Sequence, residues 1–161
     1  MPLISAYLLF ALLLGGLVIF GVVRARVARP PSRTVVAVTL AAWLVALLFM
    51  TLRPAGSIER INLVPDLGGA GFSAFDTLAN VAVFLPLGLV LAAAGYKALP
   101  AIGAGLGVSF CIEVLQYVAD AGRAADVNDL ITNTAGAALG WAIGWAIRAG
   151  RTRRALPRAR S

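Results

Sequence analysis

Glu113 is a carboxylate set deep in an apolar run, and Ser109, Glu113, Gln116 and Asp120 recur at spacings of four, three and four. That spacing puts all four on one face of a helix. Two further pairs, Asp76 with Asn80 and Asp129 with Asn133, stand four residues apart and share the same relation. Arg123 and Asp126 fall in the short polar stretch between them. A carboxylate can take or give a proton, amides can hydrogen-bond a polar ligand, and a guanidinium can hold an anion. The chain has no histidine. This excludes His-based triads, imidazole metal ligation and imidazole acid–base chemistry, so proton chemistry falls to carboxylates.

These residues need a scaffold, and composition says which kind. Of 161 residues, 60% are hydrophobic and 13% charged, with a mean hydropathy of +0.90. A soluble domain carries about 25% charged residues. One core of this size cannot hide so much apolar surface, so lipid is the other solvent. Five runs, 3–23, 35–52, 77–96, 99–119 and 130–147, reach the ~20 residues that span a bilayer. The expectation is an all-α, polytopic membrane helical bundle of five transmembrane helices over 1–147, with a basic tail over 148–161, unstructured beyond its first turn. The first run lacks a basic leader and a small-residue cleavage site and reads as a retained span. Pro30 and Pro31 break the chain before the second run; Lys97 and Pro100 mark the turn between the third and fourth. The single Cys111 excludes an intramolecular disulfide and reads as a small buried hydrophobe.

Charge gives an orientation. With the N-terminus outside, Arg24, Arg26, Arg29, Arg33, Lys97, Arg148, Arg151, Arg153, Arg154, Arg158 and Arg160 lie inside, eleven of the fourteen basic residues. The positive-inside bias therefore puts the C-terminus in the cytoplasm. The basic tail then lies on anionic inner-leaflet lipids, which makes nucleic acid an unnecessary partner. All seven acidic residues fall within 59–129 and collect at the opposite, outer end. By helical rise Glu113 lies roughly 9 Å below the end of its helix, and Asn80 and Asn133 roughly 6 Å below theirs. Three antiparallel neighbours thus bring polar groups to one depth. A buried ionisable group faces the bundle interior and needs a partner, and Arg123 is the nearest cation in sequence.

A purely structural reading competes with a pocket: Asn and Gln can hydrogen-bond between spans, and Asp suits a helix start. Gly136, Gly140 and Gly144 form a small-residue ridge on the fifth span, and Gly103 and Gly107 form another on the fourth, both reading as packing seams. Pro86 removes a helical bond to Ala82 and is expected to kink the third span. Tyr96 and Trp145 suit the inner interface. A metal site of Glu113, Asp126 and Asp129 is chemically conceivable, but no motif supports it, and no cofactor is expected. Ser109 has no base of the usual kind.

Four segments in order carry a resemblance: Asn62-Leu-Val-Pro65; Asn80-Val-Ala-Val-Phe-Leu-Pro-Leu-Gly88; the run from Ser109 to Gln116; and the run from Arg123 to Gly136. Together they resemble the VanZ-like membrane family over 62–140. The resemblance implies a small bacterial inner-membrane domain, in a family named for a protein associated with teicoplanin resistance. Its polar positions carry over to Asn62, Pro65, Asn80, Pro86, Gly88, Glu113, Gln116, Arg123, Asp126, Asp129, Asn133 and Gly136. Asp66 stands where the family usually has an aromatic residue.

The leading functional expectation is an outward-facing polar pocket that binds a cell-envelope lipid or lipid-linked precursor. Arg123 would hold an anionic group and Asn80, Gln116, Asp126, Asp129 and Asn133 would line the site. Glu113 would act as acid or base if the ligand is modified. A transporter or proton relay, and a non-catalytic membrane scaffold, are the competing classes.

Overall fold

The computed structural model describes residues 2–51, 61–65, 73–118 and 125–155. Five helices carry most of the described residues: α1 (Pro2–Arg26), α2 (Arg33–Thr51), α3 (Ala74–Ala93), α4 (Ala98–Val118) and α5 (Val127–Ala155). Each is long and apolar enough to cross a membrane, and the chain is a multi-pass helical membrane protein. The side chains that the bundle leaves exposed on α1 and α2 include Leu9, Leu12, Ile19, Val38, Val45 and Phe49. A water-facing surface of that kind would be an aggregation hazard; a lipid-facing one is the norm.

The helix ends follow local chemistry. Ser32 precedes α2, and its hydroxyl accepts from Val35 N at 3.3 Å. Ser73 caps α3, its hydroxyl accepting from Asp76 N at 3.2 Å, with Asp76 in the positive first turn. The far end of α3 closes where Gly95 takes a φ of 91°. Tyr96 N then donates to Leu91 O and Gly95 N to Ala92 O, a Schellman arrangement that needs a residue without a Cβ cost at that φ.

α3 and α5 form the central pair, with α4 against α5, α1 across α3, and α2 on the periphery. Glycine makes the central contact possible. A Cβ on Gly136 would strike Val81 O, one on Gly140 would strike Leu85 O, and one on Gly88 would strike Ala137 O. Backbone therefore meets backbone along the seam. Gly144 sits on Ala92, where an added Cβ would come within 2.7 Å of the Ala92 methyl. The ridge expected on α4 is different: Gly103 and Gly107 face open space, and Gly105 packs on Ala137 instead. On a helix, positions 103 and 107 lie away from the face that carries Ser109 and Gln116, so the small-residue spacing was real but pointed outward.

α3 runs unbroken through Pro86, which is buried. Trp43 Nε1 of α2 donates to Val83 O at 2.8 Å, beside the Ala82 carbonyl that the proline deprives of its helical partner. Its ring meets Phe84 edge-on at 5.4 Å. These two aromatics, with Leu17, Leu47, Leu87, Leu91 and Ile112, make the apolar core. Cys111 corrects the expectation of burial: it is exposed on α4. Lipid solvates a thiol as well as a core does, so hydrophobicity alone could not tell the two surroundings apart.

The basic end is more ordered than the tail's composition implies. α5 continues through Ala155. Arg148 Nη1 donates to Ala92 O and Ala93 O, both at 2.7 Å, and Arg151 bonds Val27 O. Tyr96 and Trp145 are half-exposed there, and Trp141 joins them, its Nε1 on Tyr96 O and its ring stacked on Trp145. At the polar end, Ile61–Asn62 (β1) pairs in parallel with Ala125–Asp126 (β2).

Candidate functional site

The three polar faces meet. α3, α4 and α5 bring Asn80, Glu113, Gln116, Asp129 and Asn133 to the wall of one cavity of about 320 Å³ at the polar end. Tyr7 and Phe10 of α1 and Leu47, Met50 and Thr51 of α2 complete it, so all five helices contribute. Asp76, in the first turn of α3, also lines it.

Asn80, Gln116 and Asn133 are each set by a partner from another helix. Asn80 Nδ2 donates to Asp129 Oδ1 at 2.6 Å and to Thr132 Oγ1 at 3.3 Å, tying α3 to α5. Asn133 Nδ2 donates to Ser109 Oγ at 3.0 Å, tying α5 to α4. Gln116 Nε2 donates to Thr51 O at 2.9 Å, tying α4 to α2. Gln116 is 3% exposed and Asn133 7%. Their remaining amide atoms, Gln116 Oε1 and Asn133 Oδ1, accept no hydrogen bond among the described residues, yet neither is occluded. Two acceptors on otherwise buried side chains therefore stand uncommitted and accessible on the cavity wall, where a donor from a ligand or water can reach them.

Glu113 is 8% exposed and its Oε2 accepts from Asp126 N at 2.9 Å. A carboxylate inside a span thus holds the strand that leads into α5. Asp126 itself belongs elsewhere. Its Oδ1 accepts from Asn128 N at 2.8 Å and caps α5, and its Oδ2 accepts from Asn62 Nδ2 at 3.1 Å. Asn128 Nδ2 in turn reaches Val64 O. Asp126 is therefore the tie between the 61–65 segment and the bundle. It lines a second, apolar groove of about 240 Å³ between α4, α5 and β1, together with Glu113. Glu113 is common to both spaces.

Of the seven residues singled out in sequence, five line the cavity, Asp126 stands behind Glu113, and Arg123 lies outside the described residues. Asp66 and Asp120 also lie outside them. Thr51, Asn128 and Thr132 had no periodic signal of their own, and Phe10, Leu47 and Met50 of α1 and α2 are apolar residues indistinguishable from lipid-facing ones. Among the described residues, no group of three carboxylate, thiol or imidazole side chains is placed to hold a metal ion. The cavity can hydrogen-bond a polar group through amide oxygens and carboxylates, and Glu113 stands where a proton could be exchanged with it.

A family model described as VanZ/LLP1 matches residues 7–148. No curated protein and no solved structure matches the chain.

Proposed function

The chain belongs to the VanZ/LLP1 family, and from that premise we propose that its five-helix cavity binds the headgroup of a membrane lipid or lipid-linked envelope precursor. The single observation that carries this reading is the pair of accessible, uncommitted amide oxygens, Gln116 Oε1 and Asn133 Oδ1, of two otherwise buried side chains on the wall of a cavity lined by all five helices. Glue alone would leave neither the acceptors nor the space. In this reading the positive-inside bias turns the cavity outward and the basic end towards the cytoplasm of a bacterial cell, where the arginines contact anionic lipids. Arg123 holds an anionic group of the ligand, Asn80 and Asp129 fix the wall between α3 and α5, and Glu113 supplies acid–base chemistry if the ligand is modified. A role in glycopeptide resistance would follow if that ligand is the drug's target precursor.

The test uses purified protein and the lipids that travel with it. Glu113→Gln combined with Arg123→Ala should lose a co-purifying lipid, detected by native mass spectrometry, while helicity and elution volume stay unchanged. An identical lipid complement and an unaltered envelope phenotype in the correctly folded variant would falsify the proposal.

One observation favours a second reading. The side-chain amides of Asn80, Gln116 and Asn133 all donate within the protein, as expected of a non-catalytic scaffold. That reading predicts a stoichiometric protein partner whose capture survives neutralisation of the cavity.

A further inference from the structure

Glu113 lines both the polar cavity and the apolar groove, so one side chain forms part of two walls. The groove is bounded by Ile61 and Leu63 of the β1 segment, Phe110, Val114 and Tyr117 of α4, and Leu130 of α5. From Tyr117 to Phe110 it runs roughly 10 Å along α4, from the polar end towards mid-membrane. Ile61, Leu63 and Val64 are exposed beside it, at 53%, 75% and 69%. Three such neighbours at a water-facing tip would be costly; against acyl chains they cost nothing.

We infer that the groove holds a hydrocarbon chain of the same lipid whose headgroup occupies the cavity, with Glu113 at the junction. Resting on the proposed headgroup site, this makes the ligand a membrane lipid whose headgroup carries hydroxyl or amine donors. The donors follow from Gln116 Oε1 and Asn133 Oδ1, which can only accept. The chain follows from an apolar trough lying next to a polar chamber, the two sharing Glu113 as a common lining residue. Moving a chain from bulk lipid into an apolar groove gains no hydrophobic free energy, because the two surroundings are alike. The trough therefore selects by shape, and the headgroup contacts supply the affinity. Occupancy of the groove must depend on the cavity.

The experiment reconstitutes the full chain in phosphatidylethanolamine and phosphatidylglycerol vesicles. A trace phosphatidylethanolamine carries a photoactivatable diazirine midway along one acyl chain, and labelled peptides are mapped by mass spectrometry. Labelling at Phe110, Val114 and Leu130 should exceed that at the exposed Leu12 and Ile19 by about tenfold, the ratio a preference of ~1.4 kcal/mol for the groove would give. Val114→Trp, which fills the trough from its lipid-facing side, should abolish the excess. Phe110→Ala, at a position 59% exposed, should disperse it. Asn133→Leu should also remove it, because the headgroup anchor is gone. Even labelling over all apolar faces, with co-purified lipid still lost on Glu113→Gln, would overturn the chain groove and leave the headgroup site standing. Groove labelling indifferent to Asn133→Leu would overturn the linkage and count against the headgroup site itself.

Discussion

Asp126 N donates to Glu113 Oε2 across 2.9 Å, so the carboxylate buried in α4 is also what fixes the start of α5. One residue serves position and chemistry together, and substitutions separate the two. In Glu113→Gln an amide oxygen can still accept from Asp126 N. In Glu113→Ala that donor has no partner.

The stability of the two variants should differ accordingly. Glu113→Gln should melt close to the parent, whereas Glu113→Ala should lose about 1–3 kcal/mol for the orphaned amide. Thermal unfolding in one detergent measures both. Equal destabilisation would mean that the 2.9 Å contact contributes nothing. The Gln variant is therefore the one in which loss of ligand reports on chemistry.

Asn80 and Asp129 make a second separable pair. Their 2.6 Å contact joins α3 to α5 at the cavity wall. A double-mutant cycle with Asn80→Ala and Asp129→Ala should give a coupling of about 1–2 kcal/mol, above the ~0.6 kcal/mol average for bonds between spans, because one partner is a carboxylate. A coupling near zero would show that Thr132, which also accepts from Asn80, carries the contact.

Much of this arrangement could be read from residue order. The four-residue spacings on α3, α4 and α5 predicted shared faces, and the helical rise per residue converted distance from the helix ends into a common depth. Spacing cannot report which face an apolar helix turns inward, since lipid and protein core ask for the same residues. That is why Gly103, Gly107 and Cys111 were expected inside and stand outside, and why Tyr7, Phe10 and Met50 gave no sign of lining a site. Asp126 was placed at the right end but on the wrong wall, because a residue just before a helix is aimed by its cap and not by the helical period.

The two kinds of glycine lead to opposite expectations. Gly140 lies on Leu85 O, where an added methyl meets backbone that cannot rotate away. Gly140→Ala should cost about 1–3 kcal/mol through separation of α3 and α5. Gly103 has nothing within 4 Å of its Cβ position, so Gly103→Ala should be neutral or gain about 0.5–1 kcal/mol in helix propensity. Melting temperatures of the pair decide it. The reverse order would place the helix seam elsewhere.

Arg148 gives the last test, at the opposite end from the cavity. The final carbonyls of α3 have no helical partners. Gly95 N and Tyr96 N of the Schellman turn donate to Ala92 O and Leu91 O, and Arg148 Nη1 reaches back from α5 to donate to Ala92 O and Ala93 O at 2.7 Å each. A cation there also meets the negative end of the helix dipole. Arg148→Met keeps most of the apolar stem and removes only the donors, so it isolates this contact from packing. It should cost about 1–3 kcal/mol, because the carbonyl of the buried Ala93 loses this donor while Ala92 O keeps Gly95 N. Arg148→Lys should recover part of that, since an ammonium can reach one carbonyl but lacks the guanidinium's planar fork. Hydrogen exchange should quicken over the last turn of α3 in the Met variant and leave Asn80 and its neighbours unchanged. If protection fell equally at both ends, Arg148 would be holding the whole α3–α5 pair in register rather than capping one helix.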